Sequence, residues 1–117
     1  MQSSHERRRA PRVTVELAGE LHLPGHPPAQ GLVHDISRGG ALFVPRGHFT
    51  ASVGHHGRLL INLSDGALEL PVRVARVADV QLSSIPSVRG FGVEFDDLKR
   101  DQERALAALL AQREATT

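Results

Sequence analysis

The 117-residue chain carries 14 Lys+Arg against 13 Asp+Glu, a formal net charge of +1, with 40% hydrophobic residues and no cysteine. One domain able to bury a core without covalent staples is expected at this length. Disulfides, thiolate metal sites and cysteine nucleophiles are excluded, and no apolar run approaches the ~20 residues of a membrane helix.

The charge is uneven. Residues 1–12 hold four arginines and one glutamate, a local +3, so residues 13–117 sum to −2. A positive cluster on a near-neutral chain points to one small anionic target, not to a nucleic-acid coating. Tyr and Trp are absent and Phe numbers four, which leaves little for single-stranded bases to stack on. No apolar stretch follows the arginines, so no signal peptide is expected and the cytoplasm is the default location.

The first predicted strand is "VTVELA" (13–18), where Val13, Val15 and Leu17 alternate with Thr14 and Glu16. After "GE" a further strand starts at Glu20–Leu23. "PGHPP" (24–28) breaks the pairing, because proline lacks a donor; a turn or a bulged stretch at a sheet edge is expected. Strand character resumes at Gly31–Ile36 and, after the turn signal "SRGG", at "ALFV" (41–44). Residues 45–57 form a loop rich in glycine and histidine. "RLLINL" (58–63) places Leu59, Ile61 and Leu63 on one face. Asp65-Gly66 signals a hairpin into "LELPVRVARV" (68–77), whose alternation through Leu68, Leu70, Val72 and Val74 blurs at Ala75–Val77, the mark of a bulge. "QLSSIPS" (81–87) reads as a connection, and "VRGFGVEF" (88–95) as the last strand with Phe91, Val93 and Phe95 inward.

The period then changes. In residues 96–115, Leu98, Leu106, Leu109 and Leu110 form one helical stripe, with Asp96 or Asp97 as N-cap. Strands followed by one helix predict an antiparallel sheet closed into a barrel, its opening or flank covered by the leucine stripe.

Two short stretches carry chemistry. In "RRAPR" (8–12), Pro11 fixes its own φ and holds Ala10 extended, so the run is not helical. Arg8 and Arg12 then point to one side, ~13 Å apart at about 3.3 Å per residue. Each guanidinium fork can grip a phosphate or the O6/N7 edge of a guanine at two points. Taken alone, the run is most simply a solvated basic terminus. In "DISRGG" (35–40), Asp35 only accepts hydrogen bonds and suits the N1–H and N2–H edge of guanine. Ser37 can donate to a phosphate or ribose oxygen, and Gly40 admits close backbone approach or positive φ. Taken alone, this stretch is a turn, with Asp35 as an Asx-turn residue and Gly39 and Gly40 supplying positive φ. Together the two are complementary halves of a guanine nucleotide site.

Arg8 to Arg12 and Asp35 to Gly40, in this order and on this strand pattern, resemble the RxxxR and [D/N]xSxxG motifs of the PilZ domain family. "GFGVEF" (90–95) is similar to that family's last strand, and the resemblance spans about residues 6–112. It implies an all-β fold with a C-terminal helix. The parts would be an arm (1–12), mobile without ligand, a small six-stranded antiparallel β-barrel (13–95) and a helix and tail (96–117). It implies a bacterial, non-enzymatic receptor for the second messenger cyclic di-GMP. Arg7, Arg8, Arg12, Asp35, Ser37 and Gly40 would be its ligand-binding residues, with Arg9, Arg38, Gly39 and Arg76 as further candidates. Arg7, directly before the motif, is the feature associated in the family with a stacked pair of ligands. The expected partners are therefore one or two cyclic di-GMP molecules and an effector protein signalled by ordering of the arm, with no cofactor, nucleic acid or membrane. The alternative is a protein-interaction module of the same fold that does not use the nucleotide.

Seven histidines invite a metal reading. Adjacent His55 and His56 diverge on an extended chain, however, and no His-x-x-x-His helix is present, so loop histidines are the simpler account. Ser37, Asp35 and His34 are sequence neighbours, but nothing indicates a base meeting the serine across the fold.

Overall fold

The structure is a computed structural model that describes residues 12–82 and 85–115, with side chains placed for 12–80 and 88–113. Six strands form one closed antiparallel barrel: β1 (Val13–His22), β2 (Ala29–Ile36), β3 (Gly40–Pro45), β4 (His56–Leu63), β5 (Gly66–Leu82) and β6 (Ile85–Phe95), in the order β1-β2-β3-β6-β5-β4 with β4 returning to β1. This is the expected barrel. Closure leaves no sheet edge, so "PGHPP" is a turn between β1 and β2, closed by His26 N–H donating to Leu23 O (3.1 Å) with Gly25 at φ +81°.

The alternating apolar residues supply the interior. Leu21, Val33, Ile36, Phe43, Leu59, Ile61, Leu70 and Val74 are fully buried, and Phe91 stacks edge-on against Phe49 of the β3–β4 loop at 5.4 Å. Each such side chain contributes about 1.5–3 kcal/mol. The barrel ends where turn chemistry intervenes. Ser64–Asp65 connect β4 and β5, and Gly66 takes φ +134° directly after them, a conformation glycine tolerates best.

Three expected boundaries move. β1 runs unbroken through "GE", because Glu16 at φ +52° absorbs a bulge and lets the strand continue to His22. The connection at 81–87 is largely paired backbone: β5 and β6 extend to the Leu82↔Ile85 pair, with residues 83 and 84 outside the described residues. The helix α1 (Arg100–Ala115) starts later than Asp96 or Asp97. Asp97 has φ +54°, which no helix accommodates. Lys99 occupies the capping position, its N–H donating back to Gln102 Oε1 (2.8 Å) and its carbonyl accepting from Glu103 N–H (2.9 Å).

α1 lies against β1 and β5. Leu106, Leu109 and Leu110 are buried in the same core as the barrel interior, with Leu98 and Ala105 partly buried beside them. Gln102 Nε2 also donates to Glu69 O (3.0 Å), pinning the first turn to β5. Among the described residues no helix is long and apolar enough to cross a membrane.

Candidate functional site

β1, β2 and β3 meet at the Ser37–Gly40 turn. Val13 pairs with Ile36 and Thr14 with Asp35, so Arg12 enters the barrel wall beside "DISRGG". Val13 is inward, which leaves Arg12 outward, and its Nη1 lies 3.4 Å from Asp35 Oδ1. The pair is unequal in setting: the arginine side chain is 56% exposed, the aspartate 16%. A half-sheltered carboxylate thus faces a guanidinium whose other donors remain open to solvent.

Strand alternation alone would not put Asp35 there. Val33 is inward, and a residue two further on would normally be inward as well. A bulge between Val33 and Asp35 reverses the phase, so Ile36 is buried and Asp35 stands on the outer wall. The same device recurs on β5. Val74 is fully buried, a bulge follows, and Arg76 is exposed. The two residues fall in one row across the outer surface, Thr14↔Asp35↔Leu42↔Gly92↔Arg76. Three strand spacings of about 4.8 Å separate Asp35 from Arg76, or ~14 Å. The floor between them is apolar. Leu42 belongs to a second small cluster, with Val44, Val80 and Val88, distinct from the barrel core.

Gly92 explains how Arg76 lies. A Cβ at this position would meet Arg76 Cγ at 2.9 Å, Nε at 3.0 Å and Cζ at 3.3 Å, so the arginine stem rests directly on the glycine backbone. The sequence reading missed Gly92; the signal available was the Gly-Phe-Gly alternation, which places both glycines on the outer side of an inward Phe91.

The turn itself is tightly tied. Ser37 N–H donates to Gly40 O (2.8 Å), Gly39 N–H donates to Ser37 Oγ (3.2 Å), and Ser37 Oγ donates to Gly40 O (3.4 Å). Gly39 O accepts from Phe95 N–H (2.9 Å), which joins the turn to the end of β6. Gly39 and Gly40 do not supply positive φ, contrary to the turn reading. Gly40 is required instead by close packing, since a Cβ there would sit 2.2 Å from Val93 O.

The structure therefore brings together Arg12, Asp35, Ser37, Gly39 and Gly40, and sets Arg76 across the same wall. Arg38 turns to a different neighbourhood, a cleft against α1. Arg7, Arg8 and Arg9 lie outside the described residues. His34, the extra residue of the β2 bulge, has a buried Nδ1 with no hydrogen-bond partner. The other histidines are dispersed: His22 Nε2 bonds Glu20 (2.8 Å), His56 Nδ1 bonds Asp96 (3.0 Å), and His26 and His55 stack edge-on at 5.5 Å. Among the described residues no group of three or more metal-ligating side chains occurs.

Fold and site define a small closed barrel whose outer wall, not its filled interior, presents the polar groups. The chain belongs to the PilZ domain family, which it matches over residues 6–112. A search of curated protein sequences found no match. Solved structures share the fold at low identity. The PilZ domain of YcgR from Escherichia coli, solved with c-di-GMP, is 15% identical with a TM-score of 0.81, and the alignment covers 94% of this chain and 93% of that one. The Bacillus subtilis inhibitor of motility MotI/DgrA is 21% identical with a TM-score of 0.76, covering 95% of this chain and 52% of that one. The K. pneumonia MrkH–c-di-GMP complex is 19% identical with a TM-score of 0.71, covering 90% and 51%. The chain thus spans about half the length of the MotI and MrkH chains.

Proposed function

We propose that this chain is a cyclic di-GMP receptor that acts by binding and not by catalysis. The observation that carries the reading is the Arg12–Asp35 pair beside the Ser37–Gly40 turn, on the outer wall of a PilZ barrel. Two of the similar structures, the YcgR domain and MrkH, were solved with this nucleotide.

In the proposed complex, the Asp35 carboxylate accepts from the N1–H and N2–H edge of one guanine. The Arg12 guanidinium, already beside Asp35, offers its free donors to a guanine edge or a phosphate. Gly40 keeps the turn backbone close to the wall, and Ser37 presents its hydroxyl. Leu42 and the Gly92 backbone form a flat floor, and Arg76 at its far side stacks on or bonds a guanine or phosphate. Arg8, with Arg9 beside it, closes over the ligand from the arm. Arg7 helps offset the four phosphate charges of a stacked pair of ligands. The arm thereby becomes ordered, and the altered surface is read by an effector protein in the cytoplasm.

Isothermal calorimetry with the purified chain tests the reading. Saturable heat is expected, lost in Arg12→Ala and weakened in Asp35→Ala. Unchanged affinity in both variants would remove the site assignment.

A further inference from the structure

The cleft between the Ser37–Gly40 turn and α1 has a volume of 520 Å³ and is lined by Arg38, Leu98, Arg100, Glu103, Arg104, Leu106 and Ala107. Its charge runs against the rest of the molecule. Residues 13–117 sum to −2; on the barrel Arg12, Arg58 and Arg73 are matched by Asp35, Glu69 and Glu94, while among the described residues Arg46, Arg76 and Arg89 join no ion pair but are not gathered in one cleft. Arg38, Arg100 and Arg104 join no ion pair among the described residues, and Glu103 is the one carboxylate in the cleft lining, so the lining carries an excess of two positive charges. Its floor is apolar, with Leu106 buried and Leu98 half-buried.

We propose that this cleft is a docking site for an acidic segment of a partner protein that inserts one apolar side chain between the three arginines. A cationic rim around an apolar floor is complementary to such a segment, and rim charges of this kind set partner choice and encounter rate. Nucleic acid fits less well, because the body is net negative and the lining has no aromatic side chain to stack a base. A lone inorganic anion would leave the leucine floor uncovered. The cleft also has a route to the nucleotide site. Arg38 belongs to the turn whose Ser37 and Gly40 lie on the other side, and Gly39 O bonds Phe95 just before the chain turns into Leu98 and α1. A docked segment would therefore sense the turn; this last step rests on the cyclic di-GMP reading, whereas the docking does not.

The test is a nuclear magnetic resonance titration of the full chain, without nucleotide, with a short synthetic Glu/Asp-rich peptide carrying one central leucine. The Nε–H signals of Arg38, Arg100 and Arg104 and the methyl signals of Leu98 and Leu106 should shift, while those of Arg58 and Arg73 stay. The double variant Arg100→Glu/Arg104→Glu, both at exposed positions, should weaken the peptide by at least about tenfold. Shifts confined to residues 1–12, or spread over all arginines, would overturn the proposal. So would equal shifts from inorganic phosphate alone, tighter binding of a duplex oligonucleotide at the same signals, or a dimer in sedimentation that the double variant dissolves. Because the titration contains no nucleotide, its failure and a failed nucleotide calorimetry are separate results.

Discussion

Arg12 and Asp35 are 23 positions apart in the chain, yet their side chains meet at 3.4 Å on the outer wall of the barrel. The register that pairs Thr14 with Asp35 sets them diagonally across two strands, within reach of a long side chain. The contact is long for an ion pair and open to solvent on the arginine side, so it adds little to stability, about 0–1 kcal/mol. In the proposed site its consequence is for binding: the carboxylate is held in place and the guanidinium, 56% exposed, can reach a ligand. Arg12→Ala and Asp35→Ala should each shift the urea midpoint by less than about 1 kcal/mol equivalent. Arg12→Ala should abolish measurable cyclic di-GMP binding, and Asp35→Ala should weaken it by about 10- to 100-fold, as expected for lost charge-assisted hydrogen bonds. A large loss of stability with unchanged affinity would make the pair structural.

The two glycines of the turn should behave differently. Gly40→Ala forces a Cβ to 2.2 Å from Val93 O, where the Gly40↔Glu94 pairing leaves no slack. A loss of about 1–3 kcal/mol is expected in chemical denaturation. Gly39 has open space around its Cβ position and no positive φ, so Gly39→Ala should stay within about 0.5 kcal/mol of the parent. Equal effects would contradict the packing explanation.

Gly92 and Arg76 should act as one unit. Gly92→Ala displaces the arginine stem, so it and Arg76→Ala should each reduce cyclic di-GMP affinity, and the double variant should be no weaker than the single ones. Independent, additive losses would separate Gly92 from the seating of Arg76.

Gln102 caps and anchors α1 at once, accepting from Lys99 N–H and donating to Glu69 O. Gln102→Ala should destabilise by about 1 kcal/mol, with thermal unfolding as the readout and little change at the outer-wall site. Leu106→Ala, which empties a buried position shared by helix and barrel, should cost about 2–5 kcal/mol.

Much of this architecture was legible before the structure. The period-two runs Leu59–Leu63 and Leu68–Val74 became inward faces as expected, and the blurred phase at Ala75–Val77 is a true bulge. What stayed hidden was backbone phase and tertiary packing. No local signal shows that a bulge before Asp35 turns it outward, or that Glu16 takes φ +52° so that β1 runs on. The helix start was misplaced because an acidic residue is a good cap only where the backbone permits it, and Asp97 is left-handed. Gly40 was expected to serve close backbone approach or a positive φ; it has no positive φ, and its need for glycine is set by its neighbour on β6. The cleft of Arg38, Arg100 and Arg104 joins residues more than 60 positions apart, which periodicity cannot register.

The arm carries the proposed switch. Hydrogen exchange at residues 5–12 should slow on saturation with cyclic di-GMP, and identical exchange with and without ligand would refute arm ordering while leaving binding intact.

The central claim is nucleotide binding at the outer wall, and calorimetric titration of folded, ligand-free chain with cyclic di-GMP tests it most directly. Saturable heat is expected, with two ligands per chain if Arg7 supports a stacked pair and with binding abolished in Arg8→Ala. No heat at protein concentrations of roughly tens of micromolar, where a micromolar dissociation constant corresponds to about −8 kcal/mol, would contradict it.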